Sequence, residues 1–218
     1  MIGGVLFDLD GTLIDSAPDL ASAVNAMLQR RGLLTVPYLA LRPHAGSGAR
    51  GMLAAAFSVM PSMPDYEALK DEFYIAYEAR MFEQTCLFAT VENLLDALDV
   101  RRLPWGIVTN KALRFAQPGA QAAGLWPRAT ALVAGDCTPH IKPHPAPLLE
   151  AARRMGVEPE RCVYVGDDPR DVLAGRAAGM ATLAAAWGYL GVDSPPHAWG
   201  ADHVLHQPDD LVQWLDRP

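Results

Sequence analysis

Cysteine is scarce and widely scattered: Cys86, Cys137 and Cys162 are the only three in 218 residues. No Cys-x-x-Cys pair occurs, which excludes the usual zinc and dithiol redox patterns. An odd number of separated thiols fits free, buried cysteines in a reducing compartment. Positive charge is also in deficit. The chain carries 25 acidic side chains against 18 lysines and arginines, a net charge of −7, so it offers no electrostatic footprint for nucleic acid or an anionic membrane. No apolar run approaches the roughly 18 residues of a membrane span. The first strand starts almost at once, so no signal peptide is expected. Internal repeats, low-complexity tracts and linkers are missing as well. The expectation is a cytoplasmic protein with neither nucleic acid nor membrane as its partner.

What is present is ample material for a core, since half of the residues are hydrophobic. The length exceeds the common domain size of about 100 to 150 residues, so a large domain or a core with a smaller insert is expected. One stretch organises the rest: Val5-Leu6-Phe7-Asp8-Leu9-Asp10-Gly11-Thr12-Leu13. An apolar strand here ends in two aspartates, and in extended chain residues two apart project the same way, so Asp8 and Asp10 enter one pocket while Leu9 points back to the core. Gly11 permits backbone geometry that other residues tolerate poorly. Two adjacent carboxylates repel unless a cation or proton intervenes. Magnesium, a hard cation that takes oxygen ligands, suits the pair.

Beyond this strand, Ser16 is placed to cap a helix that has Pro18 and Asp19 in its first turn. Leu20, Val24, Met27 and Leu28 then recur at helical spacing as far as Gly32. Two more helices are expected, over residues 49–60 and along Tyr66, Leu69, Phe73 and Tyr77. After Phe88 the pattern alternates, with strands expected at 105–109, 131–134, 162–165, 181–185 and 203–205. The helices between them are expected at 91–99, 111–124, 146–155, 170–179 and 209–215. Alternation of this kind implies a parallel sheet covered on both faces. The expected fold is α/β, a Rossmann-like parallel sheet core formed by residues 1–15 and 83–218, with a helical cap inserted at residues 16–82. Ligands of such sheets bind beyond the carboxyl ends of the strands, and polar residues gather at those ends here.

Four of these polar clusters resemble the motifs of the haloacid dehalogenase superfamily in its phosphatase form. Asp8-Leu9-Asp10-Gly11-Thr12 is similar to the first motif and Thr109-Asn110-Lys111 to the second. Lys142-Pro143-His144-Pro145 is similar to the third, and Gly166-Asp167-Asp168-Pro169-Arg170-Asp171 to the acidic fourth. The resemblance implies a phosphatase in which Asp8 is the nucleophile, forming an aspartyl-phosphate, and Asp10 the general acid and then base. Thr109 and Asn110 would bind the phosphoryl group, and Lys142 would neutralise it. Magnesium would be held by Asp8, Asp167 and the backbone carbonyl of Asp10. Asp171 would stand behind them and orient Lys142 or a metal-bound water. For Asp168 a helix cap is the simplest role.

The resemblance also bears on the substrate, a small phosphorylated metabolite handled by a monomer or homodimer. Asp15-Ser16-Ala17-Pro18-Asp19 and the position of the insert look like phosphoglycolate phosphatases. Arg114-Phe115-Ala116 and Trp199-Gly200-Ala201-Asp202 look equally like the phosphatases of N-acetylmuramic acid 6-phosphate. Both substrates carry a carboxylate. Gly46-Ser47-Gly48-Ala49-Arg50, at an expected loop-to-helix junction, offers Arg50 to grip one, with Arg114 and His44 as weaker candidates. Trp187 and Trp199 are read as packing. A hydrolytic dehalogenase has no leaving alkoxide for Asp10 to protonate. A phosphosugar mutase would keep both aspartates, and a receiver-type module would have no use for the helical insert.

Overall fold

The structure, a computed structural model, describes residues 2–191 and 194–217. Residues 1, 192, 193 and 218 of the expected core lie outside the described residues. The opening apolar run forms β1 (Gly4–Phe7), buried along its whole length. Next come β2 (Ile14–Asp15) and four helices in succession: α1 (Ala17–Arg30), α2 (Tyr38–Leu41), α3 (Gly48–Phe57) and α4 (Tyr66–Glu78). The chain returns through β3 (Cys86–Leu87), which pairs antiparallel with β2.

From there the order is α5 (Val91–Val100), β4 (Trp105–Val108), α6 (Leu113–Ala122), β5 (Ala131–Val133) and α7 (Ala146–Met155). It continues with β6 (Cys162–Gly166), α8 (Pro169–Ala177), β7 (Ala181–Ala185), β8 (His203–Leu205) and α9 (Asp210–Leu215). Six strands make one parallel sheet in the order β5-β4-β1-β6-β7-β8. Chain order runs outward from β1 on one side through β4 and β5. It then crosses over to β6, β7 and β8 on the other, which makes the end of β1 the switch point where such sheets place ligands.

Alternate residues of β1 divide between two cores. Val5 and Phe7 pack with Trp105, Ile107, Val163 and the leucines of α5, while Leu6 packs with Val108, Tyr164 and the small residues of α7. A strand buried on both faces is continuously apolar, as the sequence is here. Helices α1 to α4 have a core of their own, with Val24, Met27, Leu41, Met52, Leu53, Phe73 and Tyr77 all buried. Phe115 of α6 and Tyr189, after β7, plug into it from the sheet side.

The two passages between sheet and helical layer are fastened together. Asp19, fully buried in α1, accepts from the backbone N–H of Phe82 at 2.9 Å, of Gln84 at 3.0 Å and of Thr85 at 3.1 Å, and from the Thr85 hydroxyl at 2.5 Å. A buried carboxylate with four donors is satisfied without a cationic partner.

The structure departs from expectation in several places. Helix α2 and the 3-10 turn Arg42–Ser47 were not expected, because segments this short show no period. The pairing of β2 with β3 was also missed, since two residues carry no alternation. Of the three cysteines expected to be buried, Cys162 is buried, Cys137 half-buried and Cys86 exposed; Cys86 lies in β3, a strand with only one neighbour. Among the described residues no helix is long and apolar enough to cross a membrane.

Candidate active site

Register assembles the site. Phe7 lies level with Ile107 on one side and Val165 on the other, so the residues that follow these strands emerge together: Asp8 from β1, Thr109 from β4 and Asp167 from β6. Close packing then needs glycine. At Gly11, with φ at +87°, a Cβ would fall 2.2 Å from Asp167 Oδ2, and at Gly188 it would fall 2.2 Å from the Asp167 Cβ. Asp167 is thus walled in by bare backbone on two sides. Its Oδ2 accepts the Tyr189 N–H at 2.8 Å, and its Oδ1 the Thr12 hydroxyl at 3.3 Å.

Lys142 arrives from the loop between β5 and α7 and is 97% buried by side chain. Its Nζ lies 2.8 Å from Asp8 Oδ1, 2.8 Å from Asp171 Oδ1 and 2.8 Å from the Tyr164 hydroxyl. Asp171 also accepts from Tyr164 at 3.0 Å, and its Oδ2 receives the Asp168 N–H at 3.1 Å. Asp168 in turn caps α8 by accepting the Arg170 N–H at 2.9 Å, a reciprocal capping box with Pro169 in the first turn. One helix terminus therefore positions Asp171, and Asp171 positions Lys142.

The electrostatics follow from burial. Asp8 is pushed up to about 7 by loss of hydration, which Lys142 opposes and Asp171 reinforces. Asp167 is driven well above the usual carboxylate range by burial and then by the charges of Asp8 and Asp171. For Lys142 burial works against the ammonium, but Asp171 and Asp8 outweigh it and raise its value. Three buried carboxylates, Asp8, Asp167 and Asp171, can bring one oxygen each within 4.8 Å of the others. When all three are ionised, a single ammonium leaves two negative charges in excess, and a hard, oxygen-only donor set of this kind fits magnesium. The Asp10 carboxylate is not in that cluster.

Asp10 turns elsewhere. Its Oδ1 accepts from Lys111 Nζ at 2.8 Å and from the Ser16 hydroxyl in a short contact. Ser16 therefore does not cap α1 with its side chain, as its sequence position suggested; its hydroxyl is drawn to the stronger charged acceptor. Lys111, quoted in the sequence only as part of a motif, is the main residue whose use was not anticipated. Its position directly after Thr109 and Asn110 at a strand tip was the available signal.

Of the remaining candidates, Thr109 is buried at the cavity floor, where its hydroxyl accepts the Lys111 N–H at 3.2 Å. Asn110 lines the cavity, but its amide is engaged with the backbone of Lys142. Arg50 sits in the first turn of α3, just after Gly48 at φ +55°, and faces the cavity with no carboxylate partner among the described residues. Arg114 stacks on the rings of Tyr74 and Phe115 at 5.1 and 4.4 Å. His44 does not line the cavity. Trp187 donates its indole N–H to the Thr12 carbonyl at 3.0 Å, and Trp199 packs with Val172 and Ala184. The cavity itself, about 360 Å³, opens between the strand tips and the helical layer. Its floor is Asp8, Asp10, Thr109 and Lys142, and its wall is Phe73, Tyr74, Tyr77 and Phe115.

A parallel sheet that sets two carboxylates, a hydroxyl and an ammonium around one cavity has parts a hydrolase can use. The sequence matches the model of the haloacid dehalogenase-like hydrolases over residues 2–179, and the chain belongs to that family. It is 49% identical over 207 residues to a phosphoglycolate phosphatase of Xanthomonas campestris pv. campestris (strain 8004), covering 95% of this chain and 93% of that one. It is 40% identical over 213 residues to an N-acetylmuramic acid 6-phosphate phosphatase of Pseudomonas aeruginosa, covering 98% and 94%. Among solved structures, a predicted phosphoglycolate phosphatase from Haemophilus somnus 129PT superimposes with a TM-score of 0.86 at 26% identity, covering 99% of this chain and 98% of that one.

Proposed function

We propose that this enzyme is a magnesium-dependent cytoplasmic phosphatase that hydrolyses a small phosphomonoester through an aspartyl-phosphate, with phosphoglycolate as the first candidate substrate. The observation that carries this reading is the division of labour between the oxygens of the two aspartates. Asp8 Oδ1 is held by the Leu9 N–H at 2.7 Å and by Lys142 at 2.8 Å, which leaves Oδ2 as the attacking atom. Asp10 Oδ1 is likewise held by Lys111 and Ser16, which leaves Oδ2 to carry the proton.

In the first step Asp8 Oδ2 attacks phosphorus as the ester P–O bond breaks, and Asp10 gives its proton to the departing alkoxide. In the second, Asp10 takes a proton from water. The water oxygen attacks the acyl phosphate, releasing inorganic phosphate and restoring the Asp8 carboxylate. Lys142 balances charge on the phosphoryl oxygens, and Thr109 donates its hydroxyl to one of them. Asn110 holds the loop of Lys142 beside the same group. Asp8, Asp167 and the Asp10 carbonyl would hold magnesium, which when bound offsets the clustered carboxylates and polarises the phosphoryl group. Asp171 fixes Lys142 from behind. Residues 16–82 serve as the cap over a core of residues 1–15 and 83–218, excluding bulk water.

Arg50 is assigned the substrate's carboxylate. A second reading, N-acetylmuramic acid 6-phosphate, is favoured by the cavity: about 360 Å³ with four aromatic rings in its wall is more room than a two-carbon acid fills, and suits a sugar ring. Phosphate release from both compounds, with glucose 1-phosphate and phosphoserine as controls, decides between them. A preference of orders of magnitude in kcat/KM for one of the two, abolished by chelator, is the expected result. No release from any of them in magnesium would remove the phosphatase assignment.

A further inference from the structure

Lys111 is joined to both layers at once. Its Nζ stands 2.8 Å from Asp10 Oδ1 on the sheet side and 2.8 Å from the Tyr77 hydroxyl of α4. Tyr77 is itself held: it is buried, its ring lies parallel to Phe73 at 6.2 Å, and Phe115 meets it edge-on at 5.6 Å. The ammonium also sits 5.0 Å over the Tyr77 ring. A lysine stem has four rotatable bonds, so its head goes where its partners fix it. Here one partner is the candidate acid and the other belongs to the helical layer. The second donor to Asp10 Oδ1, Ser16, immediately precedes α1, and its backbone N–H is held by the Tyr189 hydroxyl at 2.8 Å.

Building on the phosphatase reading above, we propose that Lys111 is a positioning residue through which Tyr77 of the helical layer sets the orientation of Asp10. Proton transfer to the leaving group is then efficient only while the helical layer lies against the sheet. Lys111 acts on Asp10 Oδ1 and leaves Oδ2 directed to the substrate. The rigid aromatic stack behind Tyr77 makes its hydroxyl a fixed reference point, which an exposed side chain would not be.

The test uses Lys111→Met, Tyr77→Phe and the double variant of the full chain in magnesium, each checked for a cooperative melt. An alkyl phosphate needs its leaving group protonated, whereas p-nitrophenyl phosphate departs as a stable phenolate. Lys111→Met is expected to lower kcat for the alkyl substrate about 100-fold, the scale of general acid catalysis. KM should stay within about threefold, and so should the first-turnover release of p-nitrophenol. Tyr77→Phe, which removes one oxygen, is expected to lower alkyl kcat about 5- to 10-fold, the scale of one hydrogen bond. In the Lys111→Met background it should cost nothing further, because the two act as one unit. Additive losses, equal losses on both substrates, or a rise in KM at constant kcat would each overturn the proposal. So would an unchanged kcat in Tyr77→Phe, which decides the matter even if Lys111→Met does not fold. A wild-type enzyme inert towards every phosphomonoester would instead take down the phosphatase reading itself.

Discussion

Asn110 and Lys142 hold one another through a closed pair of hydrogen bonds: the Asn110 Oδ1 accepts the Lys142 N–H at 2.9 Å, and its Nδ2 donates to the Lys142 carbonyl at 3.0 Å. The lysine's backbone is thereby pinned to the tip of β4 before its side chain reaches the aspartates. Replacing Asn110 with Ala removes both bonds and strands two backbone groups. The expected outcome is a loss of about 1 to 3 kcal/mol in unfolding free energy and a fall in kcat larger than the change in KM. Chemical denaturation and steady-state kinetics on the same preparation check it.

The raised value of Asp8 has a consequence for pH. Burial pushes its carboxyl up to about 7 in the folded chain against 3.8 ordinarily, so between those values this group holds more protons in the folded state than in the unfolded state. Stability of the metal-free protein therefore falls as pH rises through that window and is regained below it. Magnesium competes with those protons. It should raise the melting temperature by roughly 5 °C or more near pH 8 and by less than about 2 °C near pH 5. Equal shifts at both values would disconnect the cation from these carboxylates.

Asp8→Asn should abolish turnover and leave the fold intact. A neutral side chain in that position also relieves repulsion with Asp167 and Asp171, so the metal-free variant should melt no lower than wild type near neutral pH. Substantial remaining activity would place the nucleophile elsewhere.

Arg50→Ala should raise KM by about 10- to 100-fold for a substrate bearing a carboxylate, the scale of a charge-assisted hydrogen bond. KM for a phosphomonoester without one should hardly move. A uniform rise across both would assign Arg50 to the phosphoryl group instead.

The sheet and its acidic edge were legible in the sequence because β1, β4 and β6 are buried along their whole length and each gives way at once to a polar residue. Val5 to Phe7 followed by Asp8 is the clearest case, and Cys162 to Val165 before Gly166 and Asp167 repeats it. The cap at Asp168 was legible too, since capping is local in sequence. The partners of Asp10 were not. Ser16 opens the helical insertion and Lys111 follows it by some way along the chain, and only the folded structure brings them to one oxygen. Ser16 shows how a local rule yields to a tertiary one: the position begins a helix as expected, yet its hydroxyl goes to Asp10. Tyr189 and Arg170 were hidden for the same reason. Arg170 pairs with Asp168 at 2.7 Å and also reaches the Gly46 carbonyl at 2.8 Å, a contact that no spacing in the chain announces.

The pairing of β2 with β3 means that the chain leaves the sheet and re-enters it at adjacent points, Ile14 opposite Leu87. An insertion with neighbouring ends is modular: its length and sequence can be exchanged without changing the spacing of Asp8, Thr109, Lys142 and Asp167. What such an exchange must keep are the contacts that cross between the layers, Tyr77 with Lys111 and Ser16 with Asp10. Within those limits the four helices can be remodelled while the sheet beneath them stays as it was.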